Sequence, residues 1–360
     1  MRALSLRALA PVHRGSRRRV VSSASSATQQ ASPVLRGGAT LEALRLAARC
    51  ARLADHAYFD CDTAGQPNGG PSSGEDTAAE AAPLAELLAA DGLRLVASGR
   101  SLHTRYYVAD EHAAGLGDWA GVRHLVFRGV AWRDRRVDSL QLATRLASAW
   151  RAPLAPGVPL HAHAGVLRCA EELWPCVEPH VRSALGAKGG PLRVAFSGHS
   201  LGGALALLSA CACRLRAGVP PAALAPCHAF GAPPVLAVDP PQEALRLLQL
   251  PRGALRSFVL DTDPEPLVWR ADLAAQALGY APQGDLYWMR WEGARAASIT
   301  RREGGVQASA LVDPAAGAAM QQPLSLLALL RGALDHNRRS YSDALTWLVT
   351  LAEAEAGRGA

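Results

Sequence analysis

The nonpolar positions of this chain show two textures. Near the start they recur at helical spacing: Leu44, Ala48, Ala51 and Leu53 put an apolar stripe on one side of a helix predicted over Leu41–Asp55. From Arg94 onward short β-type runs take over, at Tyr106-Tyr107-Val108, His124–Phe127, Leu192–Ser197, Cys227–Phe230 and Leu255–Leu260. Helical periodicity fills the gaps at Val137–Trp150, Gly165–Leu185 and Gly202–Ala217, the last closed by Gly218 as its C-cap, and a final helix is expected over Ser342–Ala356. Strands alternating with helices over roughly 200 residues predict an α/β protein whose mainly parallel sheet is covered by helices on both faces.

Two stretches lack this patterning. Residues 62–82, centred on Gln66-Pro67-Asn68-Gly69-Gly70-Pro71, are rich in Gly, Pro, Ser and Asp and read as a solvated loop. Residues 1–40 hold seven arginines and no acidic residue, followed by the run Ser22-Ser23-Ala24-Ser25-Ser26-Ala27. That composition predicts a disordered organellar targeting presequence at 1–40 ahead of a single domain at 41–360. The short basic amphipathic start, Met1–Leu9, leans slightly towards a mitochondrial over a plastid address; without a targeting role the protein would be cytoplasmic.

Charge changes the picture only once it is located. The formal net charge is +7, but beyond the arginine-rich N-terminus 31 basic residues face 31 acidic ones. A neutral body offers no footprint for nucleic acid. The hydrophobic share of 49% is enough for a sizeable core, and no run of about 18 apolar residues suggests a transmembrane helix. Seven cysteines are scattered without disulfide-framework or metal-ligand spacing, and Cys211 and Cys213, two apart on one helix, point to different faces. They read as reduced, buried, small apolar residues.

Candidate chemistry sits at Gly198-His199-Ser200-Leu201-Gly202, a G-x-S-x-G pattern between a predicted strand and an apolar helix. The spacing has a physical reason. A serine on a sharp strand-to-helix turn needs neighbours without side chains, Gly198 and Gly202, so that strand and helix can approach. The turn also leaves Ser200 at a helix start, where free N–H groups favour a developing oxyanion and Leu201 offers one of them. In such folds the acid and then the base follow along the chain. The strand Leu255–Leu260 runs into Asp261-Thr262-Asp263, two candidate carboxylates. Of the two later histidines, His228 lies inside a strand ahead of the acid, and His336 lies in a loop-like break after it; His336 is the better base.

The chain also resembles the fungal-type, or class 3, lipases of the α/β-hydrolase superfamily. The likeness rests on Val126-Phe127-Arg128-Gly129, His163-Ala164-Gly165, the elbow with His199 and Gly202-Gly203, Phe230-Gly231-Ala232-Pro233, Asp263-Pro264-Glu265-Pro266, and Asp335-His336 with Tyr341. They occur in family order across about residues 105–345. The resemblance implies Ser200, Asp263 and His336 as the catalytic triad, with Asp263 chosen over Asp261, and Val130 and Leu201 as oxyanion donors. It departs at Val130, where the family usually has Ser or Thr; the N–H remains, the hydroxyl does not. The implied activity is hydrolysis of acylglycerols or polar membrane lipids through an acyl-enzyme, with no metal or organic cofactor and with peripheral contact to a lipid surface. A silent lipase-like interaction module and a lipid acyltransferase are the alternatives. A histidine base makes activity rise with pH through about 6.5. Trp132 and the run Leu324–Leu330 are candidates to line or cover an acyl pocket, and Arg133, Arg135 and Arg136 to meet a headgroup.

Overall fold

The computed structural model describes residues 34–59, 74–75, 78–101, 104–116, 119–130, 144–146, 148, 150–238, 243–261, 263, 278–292, 295–303 and 336–358. Its strands are β1 (Leu35–Arg36), β2 (Gly74–Glu75), β3 (Arg94–Arg100), β4 (Arg105–Leu116), β5 (Trp119–Phe127), β6 (Arg151–Pro153), β7 (His161–His163), β8 (Leu192–His199), β9 (Cys227–Phe230), β10 (Leu236–Ala237), β11 (Leu255–Leu260), β12 (Asp285–Glu292) and β13 (Arg295–Glu303). Its α-helices are α1 (Leu41–His56), α2 (Ala78–Ala90), α3 (Ala164–Leu185), α4 (Leu201–Leu215), α5 (Glu243–Leu247) and α6 (Arg338–Arg358).

Among the described residues ten strands make one sheet in the order β1-β13-β12-β11-β9-β8-β5-β4-β3-β2. The centre, β5-β8-β9-β11-β12, is parallel throughout. The flank β5-β4-β3-β2 is antiparallel, as is the β12-β13 hairpin. Strands β6, β7 and β10 form a separate small antiparallel sheet. Side chains alternate between two cores, as the two-residue period of a strand requires. Tyr106, Val108, Leu125 and Phe127 face the core that holds α3 and α4. Tyr107, Ala109 and Val126 face the opposite side, with Leu53, Leu84 and Leu88 of α1 and α2. Phe230, Phe258 and Met289 pack on that second side under α1 and α6. The mainly parallel sheet with helices on both faces is as expected.

Helix α1 starts where expected, with the Thr40 hydroxyl accepting from the Ala43 N–H at 3.2 Å as N-cap. Helix α4 ends at Leu215 with Arg216 as its C-cap, short of the expected glycine cap; Gly218, at φ +63, lies in the turn that follows. Other boundaries also differ from the sequence-based expectation, and the final helix, α6, starts at Arg338 rather than Ser342. The described residues begin at Val34, which is buried, and Leu35–Arg36 pairs with β13, so these residues of the stretch assigned to a leader belong to the sheet. The loop expected to reach residue 82 gives way at Ala78 to α2, where Ala78-Ala79-Glu80-Ala81-Ala82 are strong helix formers. Of the helix expected over Val137–Trp150, residues 144–146 are helical, residue 150 leads into β6, and residues 131–143 lie outside the described residues. Trp132, Arg133, Arg135, Arg136 and Leu324–Leu330 also lie outside them.

Among the described residues six cysteines are free, five of them buried. Burial pushes the Cys50 and Cys211 thiols up to about 12 and Cys169 up to about 11, so these are packing residues with little thiolate character. Among the described residues no helix is long and apolar enough to cross a membrane.

Candidate active site

Three chain segments leave the C-terminal edge of the parallel strands side by side: Arg128-Gly129-Val130 after β5, Ser200 after β8, and Asp263 after β11. This edge is where open α/β sheets collect their functional groups. Ser200 has φ 57 and ψ −129, a conformation that few non-glycine residues adopt. Its neighbours explain how the turn closes. A Cβ on Gly198 would lie 2.4 Å from the Gly202 carbonyl group, and one on Gly202 would lie 2.1 Å from the Phe127 carbonyl oxygen. Both glycines are therefore required by contact between strand, helix and the neighbouring β5.

His336 enters from the far end of the chain, just ahead of α6. Its Nε2 lies 3.0 Å from Ser200 Oγ, and its Nδ1 lies 3.0 Å from both carboxylate oxygens of Asp263. Asp263 is fully buried, while the His336 side chain keeps about a fifth of its surface open (22%) and Ser200 is nearly covered. The Tyr341 hydroxyl donates to Asp263 Oδ2 at 2.5 Å and accepts from the Leu260 N–H at 3.3 Å, so it fixes the acid against its own strand. A serine, an imidazole and a buried carboxylate in this order can move the serine proton onto the imidazole while the carboxylate holds the ring. Asp261 donates its N–H to the Met289 carbonyl at 3.0 Å and takes no place in this chain of contacts. His228 is buried in β9, its Nδ1 3.1 Å from the Pro226 carbonyl and its ring stacked near Phe230 and Phe258.

Leu201 is the first residue of α4, so its N–H has no intrahelical acceptor. Among the described residues no hydrogen bond uses it or the N–H of Val130. The Val130 side chain packs onto the main core, and the loop before it lies against the elbow: a Cβ on Gly129 would be 2.5 Å from the His199 carbonyl oxygen and 2.9 Å from Ser200 Cβ. The loop that ends in Val130 thus lies against the turn that carries Ser200 and Leu201.

His199 is buried behind this site, its ring centroid 4.9 Å from that of His336. Burial, with the nearby His336 and Arg338 charges, holds its pKa well below the usual histidine value, so it is neutral. Its Nδ1 lies 3.1 Å from the Tyr58 hydroxyl, and that hydroxyl also accepts the Gly129 N–H at 2.9 Å. The Arg338 guanidinium sits over the Tyr58 ring, 4.6 Å from its centre, and is itself paired with Asp55. Tyr58 escapes a motif search because it stands far upstream in an ordinary helix end, where no spacing marks it. Among the described residues no group of three His, Cys, Asp or Glu side chains converges as a metal site.

Residues 125–249 match the family described as lipase (class 3). Over 133 residues, 35% of its length, the chain is 31% identical to phospholipase A1 PLIP2, chloroplastic, from Arabidopsis thaliana; the aligned part spans 18% of that protein. Solved structures with a similar fold include lipase II from Rhizopus niveus (19% identity, 76% of this chain and 91% of that one, TM-score 0.52) and the lipase from Rhizopus microsporus var. chinensis (20% identity, 75% and 84%, TM-score 0.51). The nonglycosylated Yarrowia lipolytica LIP2 lipase is similar too, at 17% identity over 75% and 87% of the two chains, TM-score 0.52. At such identities these structures speak for the fold, which is that of an α/β-hydrolase.

Proposed function

We propose that this chain, which belongs to the class 3 lipases of the α/β-hydrolase superfamily, is a serine hydrolase that cleaves the acyl esters of glycerolipids. The observation that carries the reading is the run of contacts from Ser200 Oγ to His336 Nε2 and from His336 Nδ1 to the Asp263 carboxylate, each 3.0 Å. Ser200 Oγ attacks the ester carbonyl as His336 takes its proton, and Asp263 stabilises the imidazolium that forms. The carbonyl oxygen, now negative, accepts from the N–H groups of Leu201 and Val130 at the start of α4 and the end of the β5 loop. His336 returns the proton to the departing alcohol. Water then attacks the acyl-enzyme by the same proton traffic in reverse, releasing the fatty acid and free Ser200.

Polar membrane lipids are the preferred class, since the sequence relative is named a phospholipase A1. That substrate is reached by peripheral contact with a lipid surface. An organellar address accompanies this reading, supported by the acid-free, arginine-rich N-terminus and by the word chloroplastic in the relative's name. The latter weighs towards a plastid against the slight mitochondrial lean of the first nine residues; imaging a fluorescent fusion of residues 1–40 separates the two.

Fluorophosphonate labelling of the wild type and of Ser200→Ala tests the chemistry, and fatty-acid release from phosphatidylcholine, galactolipid and triacylglycerol dispersions tests the substrate. Labelling lost in the variant, with release from the polar lipids, is the expected result. A folded wild type that takes no label returns the protein to the silent-module reading, and transfer of the acyl group to added alcohol in preference to water would make it a transferase.

A further inference from the structure

We infer that Tyr58, acting with His199, is a positioning residue for the oxyanion loop: its hydroxyl sets the direction of the Val130 N–H relative to Ser200. The inference rests on the ester-hydrolase reading above and extends it to residues that no part of the triad uses.

The argument begins with proton bookkeeping at one oxygen. Tyr58 Oη accepts the Gly129 N–H at 2.9 Å, so its own single proton must go elsewhere, and His199 Nδ1 stands 3.1 Å away. His199 is neutral. With its Nδ1 facing the Tyr58 hydroxyl, the tautomer that lets Nδ1 accept carries its proton on Nε2, which has no hydrogen bond of its own among the described residues. A directed chain results, from Gly129 N–H to the Tyr58 oxygen and from the Tyr58 O–H to His199 Nδ1. It joins the β5 loop, the end of α1 and the residue before the nucleophile.

The chain is held from outside as well. Tyr58 is buried, and the Arg338 guanidinium, anchored on Asp55, lies over its ring. Gly129 is the pivot. With the Gly129 N–H fixed and its Cα pressed against the His199 carbonyl and Ser200, rotation of the following peptide is restricted, and that peptide carries the Val130 N–H. Valine has no hydroxyl to supplement or correct the direction of this donor, so the backbone orientation is all the loop can use.

The test compares wild type with Tyr58→Phe on a soluble short-chain ester. The ring stays and only the hydroxyl goes. The expected result is a fall in kcat of about 10–100-fold with KM within about twofold, because the loss is felt where charge develops on the oxyanion. A trifluoromethyl ketone, which forms an oxyanion on reacting with the serine, should lose affinity by the same factor, whereas the unreactive ether of the same shape should not. His199→Leu should repeat the loss, and His199→Asn, whose carboxamide oxygen can accept from Tyr58, should recover most of it. A folded Tyr58→Phe enzyme with kcat within about twofold of wild type overturns the inference, as does equal weakening of the ketone and the ether. Should Tyr58→Phe not fold, equal rates for the two His199 variants overturn it in turn. A wild type inert towards ester and ketone alike sinks the hydrolase reading together with this one, whereas an active wild type indifferent to Tyr58 and His199 sinks this one alone.

Discussion

Two groups of polar side chains are buried to similar depth in this protein and are wired in opposite ways. On the antiparallel flank, Asp110 is met by Arg123 through both oxygens, at 2.7 and 2.9 Å, and by Arg94 at 2.8 Å. Arg123 spends its remaining amine on the His180 carbonyl at 3.0 Å and the Ser183 hydroxyl at 2.5 Å. Beside them Glu111 takes His124 and Arg49, and the His124 hydrogen bond is the largest cause holding its carboxyl below the usual range. At the C-terminal edge of the parallel strands, Asp263 is met instead by an imidazole and a phenol, and the chain of contacts continues to a serine near the surface. Around Asp110, opposed permanent charges lock a geometry and leave no proton to move. A carboxylate facing groups that can give or take a proton leaves one mobile, and His336 keeps part of its surface open, as the proposed reaction requires. The flank is built to stay; the edge is built to exchange.

Substitutions should separate these roles, and the largest effect lies at the edge. Ser200→Ala should abolish labelling and lower kcat by about 10⁵–10⁶-fold while the urea midpoint stays near wild type. Asp263→Asn should cost about 10⁴-fold, since the amide can no longer hold the ring in the tautomer the serine needs. Retention of more than a few per cent of the rate in either variant would mean that the proton path runs elsewhere. On the flank the pattern should invert. Asp110→Ala leaves Arg123 buried with its charge unmatched and should cost about 3–5 kcal/mol of stability, with turnover per folded molecule within about twofold. A loss below about 1 kcal/mol in urea titration would show the flank to be solvated rather than locked. Tyr341→Phe falls between the two. It removes one hydrogen bond to the charged Asp263, so kcat should drop about tenfold at constant KM, and an unchanged kcat would assign Tyr341 to packing alone.

The same contrast governs how much could be read before the structure. Periodicity found α1 and α3, and compact apolar runs found β8, β9 and β11, because each buries a regular set of positions. The G-x-S-x-G turn was legible for a steric reason that the contacts of Gly198 and Gly202 bear out. The hairpin β12-β13 was not, since Arg290, Arg295, Arg301 and Arg302 interrupt its apolar pattern and only pairing across the hairpin makes strands of it. Helix α2 was hidden by its proximity to a Gly- and Pro-rich stretch and by Pro83 within it. Tyr58 and the Asp110–Arg123 pair carry no local signature either. Their partners lie 71 and 13 residues away, and a buried polar group is recognised by what surrounds it.

The smallest effect tests whether neutral buried histidines tie the two halves to pH. His199 at the site and His228 in the core under α1 both have pKa values well below the usual histidine value, burial being the largest cause in each, with Arg256 adding to it at His228. In the unfolded chain each titrates near 6.5. Between that value and the lower folded one the unfolded chain binds a proton that the folded chain refuses, so stability rises with pH there. The contribution is complete above about pH 6.5 and is lost as pH falls below it, by up to about 1.4 kcal/mol per unit for each residue. Carboxylates also lose stability in acid, so the wild-type slope alone decides nothing. His228→Gln removes one titration while leaving those carboxylates in place, and its fixed cost cancels when the same variant is compared with itself at two pH values. The drop in unfolding free energy from pH 7.5 to 5.5, measured in urea, should therefore be about 1 kcal/mol or more smaller in the variant than in wild type. An equal drop would show that His228 accepts a proton in the folded state, and the second core face would then have to open to water near that strand.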